Sequence, residues 1–247
     1  MKPILAFDVD GTLTHPREAM LVEHEKKLIE IFSNNHCYLI TGSDLPKLLE
    51  QVPYSIIKLT HGVFTCAGAQ FWRPDLIEDL NMRAEFTPPL GLIERLNDML
   101  TDSPYPERYG NHIEMRVGML NFSIPGRACG KEERSRYSKW DSLNEERFRL
   151  AKELRESFKG IHVSVGGQIS IDISGAGIDK GRAIKLIRSL VGKKPIWFFG
   201  DKLTPEGNDW PVIGSMYGKD KALQVYGPDD LLSLWAKVET TNLFGKT

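Results

Sequence analysis

The stretch that most constrains this chain is Ile4-Leu5-Ala6-Phe7, which runs straight into Asp8-Val9-Asp10-Gly11-Thr12-Leu13-Thr14. Four apolar residues are enough for a buried strand and too few for a helix. Glycine then lets the backbone turn sharply. Side chains alternate along a strand, so Asp8 and Asp10 are expected to leave on one side, just where the strand stops. Two carboxylates held that close repel each other unless a cation lies between them. A hard divalent ion with oxygen ligands meets that need, and magnesium is the usual one where phosphate is handled. With the charge neutralised, Asp8 is suited to attack phosphorus and Asp10 to shuttle a proton.

The flanking sequence alternates between short apolar runs and helical patterns. Arg17 to Phe32 predicts a helix with Leu21, Leu28, Ile29 and Phe32 inward. Cys37 to Ile40 predicts a second strand, ended by Thr41-Gly42-Ser43-Asp44, whose Thr41 and Ser43 hydroxyls are candidate phosphate donors. Asp44 reads as the cap of a helix over 45–51. Ile56 to Trp72 predicts short strands or a hairpin. After residue 178 the alternation resumes, with a helix over Asp179 to Val191, a strand over Pro195 to Phe199 and a closing helix over Asp229 to Val238. This βαβ pattern implies a parallel sheet covered by helices, with its ligand site at the carboxyl ends of the strands. Between these halves the pattern changes to a helix over Leu90 to Leu100, strands at His112 to Arg116 and Met119 to Ile124, a charged helix over Asn144 to Phe158, and two further strands. The sequence thus predicts an α/β fold: a parallel-sheet domain formed by residues 1–80 and 177–247, interrupted by an α+β domain over residues 81–176.

A second acidic turn repeats the logic of the first. An apolar strand ends in Gly200-Asp201-Lys202, followed by Gly207-Asn208-Asp209. Asp201 is the third expected metal carboxylate, with Asn208 and Asp209 supporting it directly or through water. Lys180 is a candidate point charge for the phosphate. Arg116, Arg127 and Arg134 carry planar forks suited to a remote phosphate. Surface ion pairs with Glu132 and Glu133 are the alternative. Alternation in the run Gly166 to Asp172 sends Gln168, Ser170 and Asp172 to one face, toward sugar hydroxyls or toward solvent.

Composition narrows the field. A 41% hydrophobic, 26% charged chain of 247 residues has an ordinary globular make-up, and a net charge of −1 argues against electrostatic nucleic-acid binding. Three cysteines fit reduced thiols better than a disulfide framework. No apolar run approaches the roughly 20 residues of a membrane span. The expectation is a cytoplasmic protein.

DVDGTLT resembles the first signature of the haloacid dehalogenase (HAD) superfamily of phosphotransferases. DVDGTLTHPR, TGSD, IEMRVGMLN, PGRACGKEER, GGQISIDI, DKGRA and FFGDKLTPEGND, in that order, closely resemble the eukaryotic-type phosphomannomutases, HAD enzymes with a type IIB α+β cap. The resemblance implies a Rossmann-like HAD core and interconversion of mannose 6-phosphate and mannose 1-phosphate through a hexose bisphosphate. It implies Asp8 as the nucleophile that becomes phosphoaspartate, Asp10 as general acid/base, and Asp8, Asp10 and Asp201 as Mg2+ ligands. Arg17, Arg116, Arg127, Arg134, Ser170 and Asp172 resemble the substrate contacts. A hexose 1,6-bisphosphate activator and a homodimer formed through the cap are implied as well. Thr41 departs from the family's glycine and is closer to phosphatases of the same cap class; CAGAQ around Ala67 and the loop after Asp209 also depart. Two other functions compete: a sugar-phosphate phosphatase, in which water resolves the phosphoaspartate, and a non-catalytic sugar-phosphate binding module, which would gain nothing from two repelling carboxylates.

Overall fold

The computed structural model describes residues 2–240. In chain order, β1 (Ile4–Phe7) leads to α1 (Val22–Asn34), β2 (Cys37–Ile40), α2 (Leu45–Gln51), the single turn α3 (Tyr54–Ile57) and the hairpin of β3 (Val63–Thr65) and β4 (Gln70–Trp72). Then come α4 (Leu92–Asp102), β5 (Ile113–Arg116), β6 (Met119–Phe122), α5 (Lys131–Asn144), α6 (Glu146–Ser157), β7 (Ile161–Gly166) and β8 (Ser170–Gly175). The chain closes with α7 (Lys180–Val191), β9 (Ile196–Gly200), the short α8 (Trp210–Ile213), β10 (Lys221–Gln224) and α9 (Pro228–Thr240). Two compact units result, one formed by Met1–Arg83 with Asp179–Thr247 and the other by Ala84–Ile178.

The first unit is a six-stranded sheet of order β10-β9-β1-β2-β3-β4, parallel except for the β3–β4 hairpin. Its inner strands β9, β1 and β2 are apolar on both faces, as a sheet buried on both sides requires. Leu5, Phe7, Leu39, Val63, Trp197 and Phe199 meet Leu28, Phe32, Leu231 and Trp235 of α1 and α9 on one face. Ile4, Ala6, Ile40, Phe64, Ile196 and Phe198 meet Ala183, Ile184 and Ile187 of α7 on the other. Phe7 stacks on Phe199 and Phe32 at ring-centroid distances of 4.9 and 5.2 Å. The closing helix buries Leu231, Trp235 and Val238, the last belonging to the next turn of the expected stripe.

The second unit is a four-stranded antiparallel sheet of order β5-β6-β8-β7. Its apolar face, with Leu120, Phe122, Ile171, Ile173 and Val163, packs against Leu92, Leu96 and Met99 of α4 and Leu150 and Leu154 of α6.

Two local expectations need correction, and one helix was not foreseen. The helix expected from Arg17 begins at Val22, because Arg17 adopts a φ of 64° and lends its backbone N–H to Asp10. The charged helix expected over 144–158 is α6, Glu146–Ser157, and a further helix, α5, ends just before it, the two meeting at Glu145 with a φ of 51°. Lys131–Asn144 escaped recognition because only Tyr137 and Asp141 of that stretch are buried, which leaves no apolar stripe. Gln168 lies in the exposed β7–β8 turn, so the alternating face starts at Ser170.

Candidate active site

Parallel strands bring their carboxyl ends to one edge, and the acidic turns of β1 and β9 meet there. The Asp8 N–H donates to the Phe199 carbonyl at 2.9 Å, so the register of the two strands continues one residue past β1. The turn then closes on itself: the N–H groups of Thr12, Leu13 and Thr14 all donate to the Val9 carbonyl. Gly11 sits at φ 82°, and a Cβ there would lie 2.5 Å from Asp201 Oδ2. The glycine is thus required twice, by its backbone angle and by the closeness of the second acidic turn.

Carboxylate oxygens of Asp8, Asp201 and Asp209 all lie within 4.8 Å of one another. Asp8 is 3% exposed and Asp209 fully buried. Lys180, the first residue of α7, is also fully buried, and its Nζ donates to Asp8 Oδ1 and, at 2.6 Å, to Asp209 Oδ1. Asp209 is held from its other oxygen by the Lys202 N–H at 3.0 Å. Thr12 Oγ1 is 3.5 Å from Asp8 Oδ2.

Burial is the largest influence on Asp8 and pushes its carboxyl well above the ordinary range; Lys180 draws it back, and Asp209 and Asp201 push it further up. Asp201 is raised chiefly by burial too. For Lys180 burial acts the other way, but Asp209 and Asp8 outweigh it and hold the ammonium charged above its usual range. Three carboxylates against one ammonium leave a buried excess of two negative charges, the balance a dication supplies. All the donors are hard oxygens. Asn208, next to Asp209, keeps its Oδ1 buried with no hydrogen-bond partner among the described residues. The residues present fit Mg2+.

Asp10 does not follow the expectation that it faces the same cation beside Asp8. One residue beyond the strand the alternation no longer holds, and the Asp10 carboxylate turns to other partners. Its Oδ1 accepts from Gln51 Nε2 at 2.8 Å and from the Arg17 N–H at 3.0 Å, and Ser43 Oγ is 3.4 Å from Oδ2. The carboxylate grouped with Asp8 and Asp201 is Asp209. Thr41 and Ser43 follow β2 and are buried, with the Ser43 N–H donating to Thr41 Oγ1 at 3.0 Å. Asp44 caps α2 by accepting from the Lys47 N–H at 3.2 Å. Gln51, which sequence reasoning missed, also donates to Thr14 Oγ1 at 3.3 Å and so joins the two loops. The side chain of Arg17 is exposed.

In the second unit, antiparallel pairing sets Glu114 opposite Asn121 and Asn121 opposite Asp172. This polar row crosses the sheet on the face away from its core. Glu114 Oε2 accepts from Arg116 Nε and Arg127 Nε, each at 3.1 Å. Arg127 Nη1 donates to Ser170 Oγ at 2.9 Å, and Asn121 Nδ2 to Asp172 Oδ1 at 2.5 Å. Arg134 Nε donates to the Cys129 carbonyl at 3.0 Å, and its Nη2 lies 3.4 Å from the Arg127 carbonyl. Arg116, Arg127, Ser170 and Asp172 thus belong to one network, which Arg134 adjoins through the Arg127 main chain. Glu114 and Asn121 at its centre were not foreseen; their position opposite one another was the available signal.

A parallel sheet carrying an acidic turn after its central strand, with a separate antiparallel unit inserted, is the haloacid dehalogenase-like fold. A haloacid dehalogenase-like hydrolase from Bacteroides thetaiotaomicron superposes with a TM-score of 0.58 at 13% identity, covering 96% of this chain and 100% of its own. The sucrose-phosphatase of Synechocystis gives 0.57 at 13% identity, with 97% and 99% covered. The family is settled by sequence. The family profile for eukaryotic phosphomannomutase matches residues 24–240, a range that begins after the Asp8–Thr14 turn. The phosphomannomutase of Dendrobium officinale is 35% identical over 236 residues, covering 92% of this chain and 90% of the relative. That of Encephalitozoon cuniculi is 32% identical over 235 residues, with 93% and 90% covered. This chain belongs to the eukaryotic phosphomannomutase family, and with it to the phosphoryl-transferring enzymes. No helix among the described residues is long and apolar enough to cross a membrane.

Proposed function

We propose that this protein interconverts mannose 6-phosphate and mannose 1-phosphate by way of a phosphoaspartate at Asp8 and a hexose bisphosphate. The observation that carries the reading is the setting of Asp8, a nearly dry carboxylate at the end of the central strand, against Lys180 and facing Asp201 and Asp209. Asp8, Asp201, Asp209 and Asn208 would hold Mg2+, which when bound neutralises the oxygens of the phosphoryl group in transfer. Asp10 enters the metal assignment through sequence resemblance only, since its carboxylate is engaged by Gln51, the Arg17 N–H and Ser43.

Phosphorylated Asp8 passes its phosphoryl group to the free hydroxyl of the hexose monophosphate, and Asp10 removes that hydroxyl's proton. The bisphosphate turns end for end. Its other phosphoryl group then forms a bond to Asp8 as the bond to the sugar oxygen breaks, and Asp10 protonates the departing oxygen. Lys180 holds the Asp8 carboxylate in place, and Thr41 and Ser43 are assigned as phosphate contacts. Arg17, Arg116, Arg127, Arg134, Ser170 and Asp172 are assigned to the sugar and its second phosphate, which makes the inserted unit, residues 84–178, the substrate-specificity cap. Hexose 1,6-bisphosphate primes Asp8, the working form is a homodimer joined through the cap, and the enzyme acts in the cytoplasm.

Phosphorus NMR with mannose 1-phosphate, Mg2+ and a trace of hexose 1,6-bisphosphate tests the reading. The expected result is a growing mannose 6-phosphate signal with little free phosphate. Free phosphate as the only product would reassign the protein as a phosphatase and make Thr41, in place of the family's glycine, the telling residue.

A further inference from the structure

The sheet edge opposite the acidic turns carries a pattern of its own. Strands β9, β1, β2 and β3 are consecutive in the sheet, and each is entered through a basic residue: Lys194, Lys2, His36 and His61 respectively. The same tripeptide, Lys-Pro-Ile, opens both β9 and β1, and Ile196 pairs with Ile4, so Lys194 and Lys2 stand at one register. The Leu5 N–H donates to the His36 carbonyl at 2.9 Å and the His61 N–H to the Cys37 carbonyl at 2.7 Å, which brings the other two entries to the same edge. The four side chains line a cleft of about 310 Å³ together with Ser33 and Asn34, and no carboxylate lines it among the described residues.

The setting of the histidines disfavours their protonated forms, chiefly through burial and secondarily through the neighbouring basic groups. Their rings stack with centroids 3.5 Å apart. Burial, then His61, then Lys194 push His36 down to about 4, and burial with Lys194 lowers His61. Lys2 acts on the neighbouring Cys37 thiol, and the Tyr38 hydroxyl lies 3.2 Å from His36 Nε2. Near neutral pH the two rings are therefore uncharged, and the cleft's positive charge rests on Lys2 and Lys194. A small anion of high charge density would pair with both ammonium groups and favour protonation of the rings beside them. Lys2 Nζ bonds the Asn34 carbonyl at 2.7 Å, which fixes one ammonium at the rim, and Ser33 and Asn34 add polar groups.

We propose that the basic cleft formed by Lys194, Lys2, His36 and His61 at the amino-terminal edge of the core sheet is a binding site for a small, multiply charged phosphate anion of the pyrophosphate type. It lies at the edge opposite the Asp8 turn and is independent of the reaction assigned to that turn. The bridging phosphates of a nucleoside diphosphate and free pyrophosphate share this chemistry.

The test is histidine-ring NMR on the full chain with Mg2+ chelated, titrated with inorganic pyrophosphate and, separately, with sodium chloride at matched ionic strength. Bound pyrophosphate is expected to raise the His36 pKa by about one unit or more, since an opposite charge favours the protonated ring. The double variant Lys2→Gln with Lys194→Gln, at two exposed positions, is expected to bind roughly tenfold more weakly, about 1.4 kcal/mol, with mutase turnover unchanged. His61→Gln supplies a second variant that should weaken binding in the same direction. A nucleoside diphosphate that shifts the rings more strongly than pyrophosphate supports a nucleotide as the natural source, and an equal or weaker shift supports the inorganic anion. Chloride reproducing the shift, or the double variant responding like the wild type, would overturn the proposal.

Discussion

Lys180 is the residue on which the acidic edge balances. Its ammonium is fully buried between Asp8 and Asp209, so replacing it by methionine leaves two carboxylates dry and unpaired. Breaking a buried pair from one side costs roughly 3–5 kcal/mol. Urea unfolding of Lys180→Met with a chelator present should show a loss of that size, and Mg2+ should restore part of it. Asp8→Asn removes one of the excess negative charges; it should fold normally and lose activity on the order of ten-thousand-fold in the phosphorus NMR assay. The raised carboxyls of Asp8 and Asp201 set a pH dependence. Their folded pKa values lie above the unfolded value near 3.9, so without metal the folded state binds the extra protons. Stability then falls as pH rises from about 4 through the raised values, and the stabilisation given by Mg2+, which competes for the ionised form, grows over the same window. Thermal unfolding at pH 5 and pH 7, with Mg2+ and with chelator, should give the larger Mg2+ increment at pH 7; equal increments would contradict the assignment. Asp8, Asp201, Asp209 and Lys180 were legible because each sits where an apolar run ends or a helix begins. Gln51 was not, because its partner Asp10 is distant in sequence and no local pattern links them.

Among the elements, the α5–α6 corner shows how a helix break serves the polar network of the second unit. The Arg147 N–H and Nε donate to the two oxygens of Asp141 at 2.9 and 2.8 Å, and its Nη1 reaches the carbonyls of Gly166 and Gly167, each at 3.1 Å. One buried guanidinium therefore ties the corner to the β7–β8 turn that delivers Ser170 to Arg127. Arg147→Met should cost roughly 3–5 kcal/mol, because Asp141 is left buried without its counter-charge. The corner itself is strained in the opposite sense. Glu145 is exposed at φ 51°, a conformation that costs an L-residue about 1–2 kcal/mol and glycine little. Glu145→Gly should therefore raise the midpoint of chemical unfolding, with a gain of about 1 kcal/mol. The strands and amphipathic helices of the first unit were readable because burial writes a pattern into the sequence. A strand covered on both faces gives an unbroken apolar run, and a helix covered on one gives a helical period. The edge strand β10, with the sequence Lys-Ala-Leu-Gln, and the charged α5 bury too little to write one.

At the scale of the whole molecule, each unit builds its apolar interior from its own residues. One cluster, built on α4, α6 and the four-stranded sheet, draws its residues from 86–173 alone, whereas the two clusters flanking the parallel sheet draw theirs from both ends of the chain. The inserted unit therefore carries what an independent domain needs: a sheet whose apolar face is covered by its own helices. Residues 84–178 expressed alone should unfold in a single cooperative transition, and the circular dichroism of the intact chain should show two steps. Mg2+ should move only the step that belongs to the parallel-sheet unit, because Asp8, Asp201 and Asp209 all lie there. A fragment 84–178 that melts without cooperativity would mean that the inserted unit borrows its stability from the flanking halves of the chain. A Mg2+ shift common to both steps would mean that metal binding at the acidic edge is coupled to the arginine network, with the inserted unit responding as part of one folding unit.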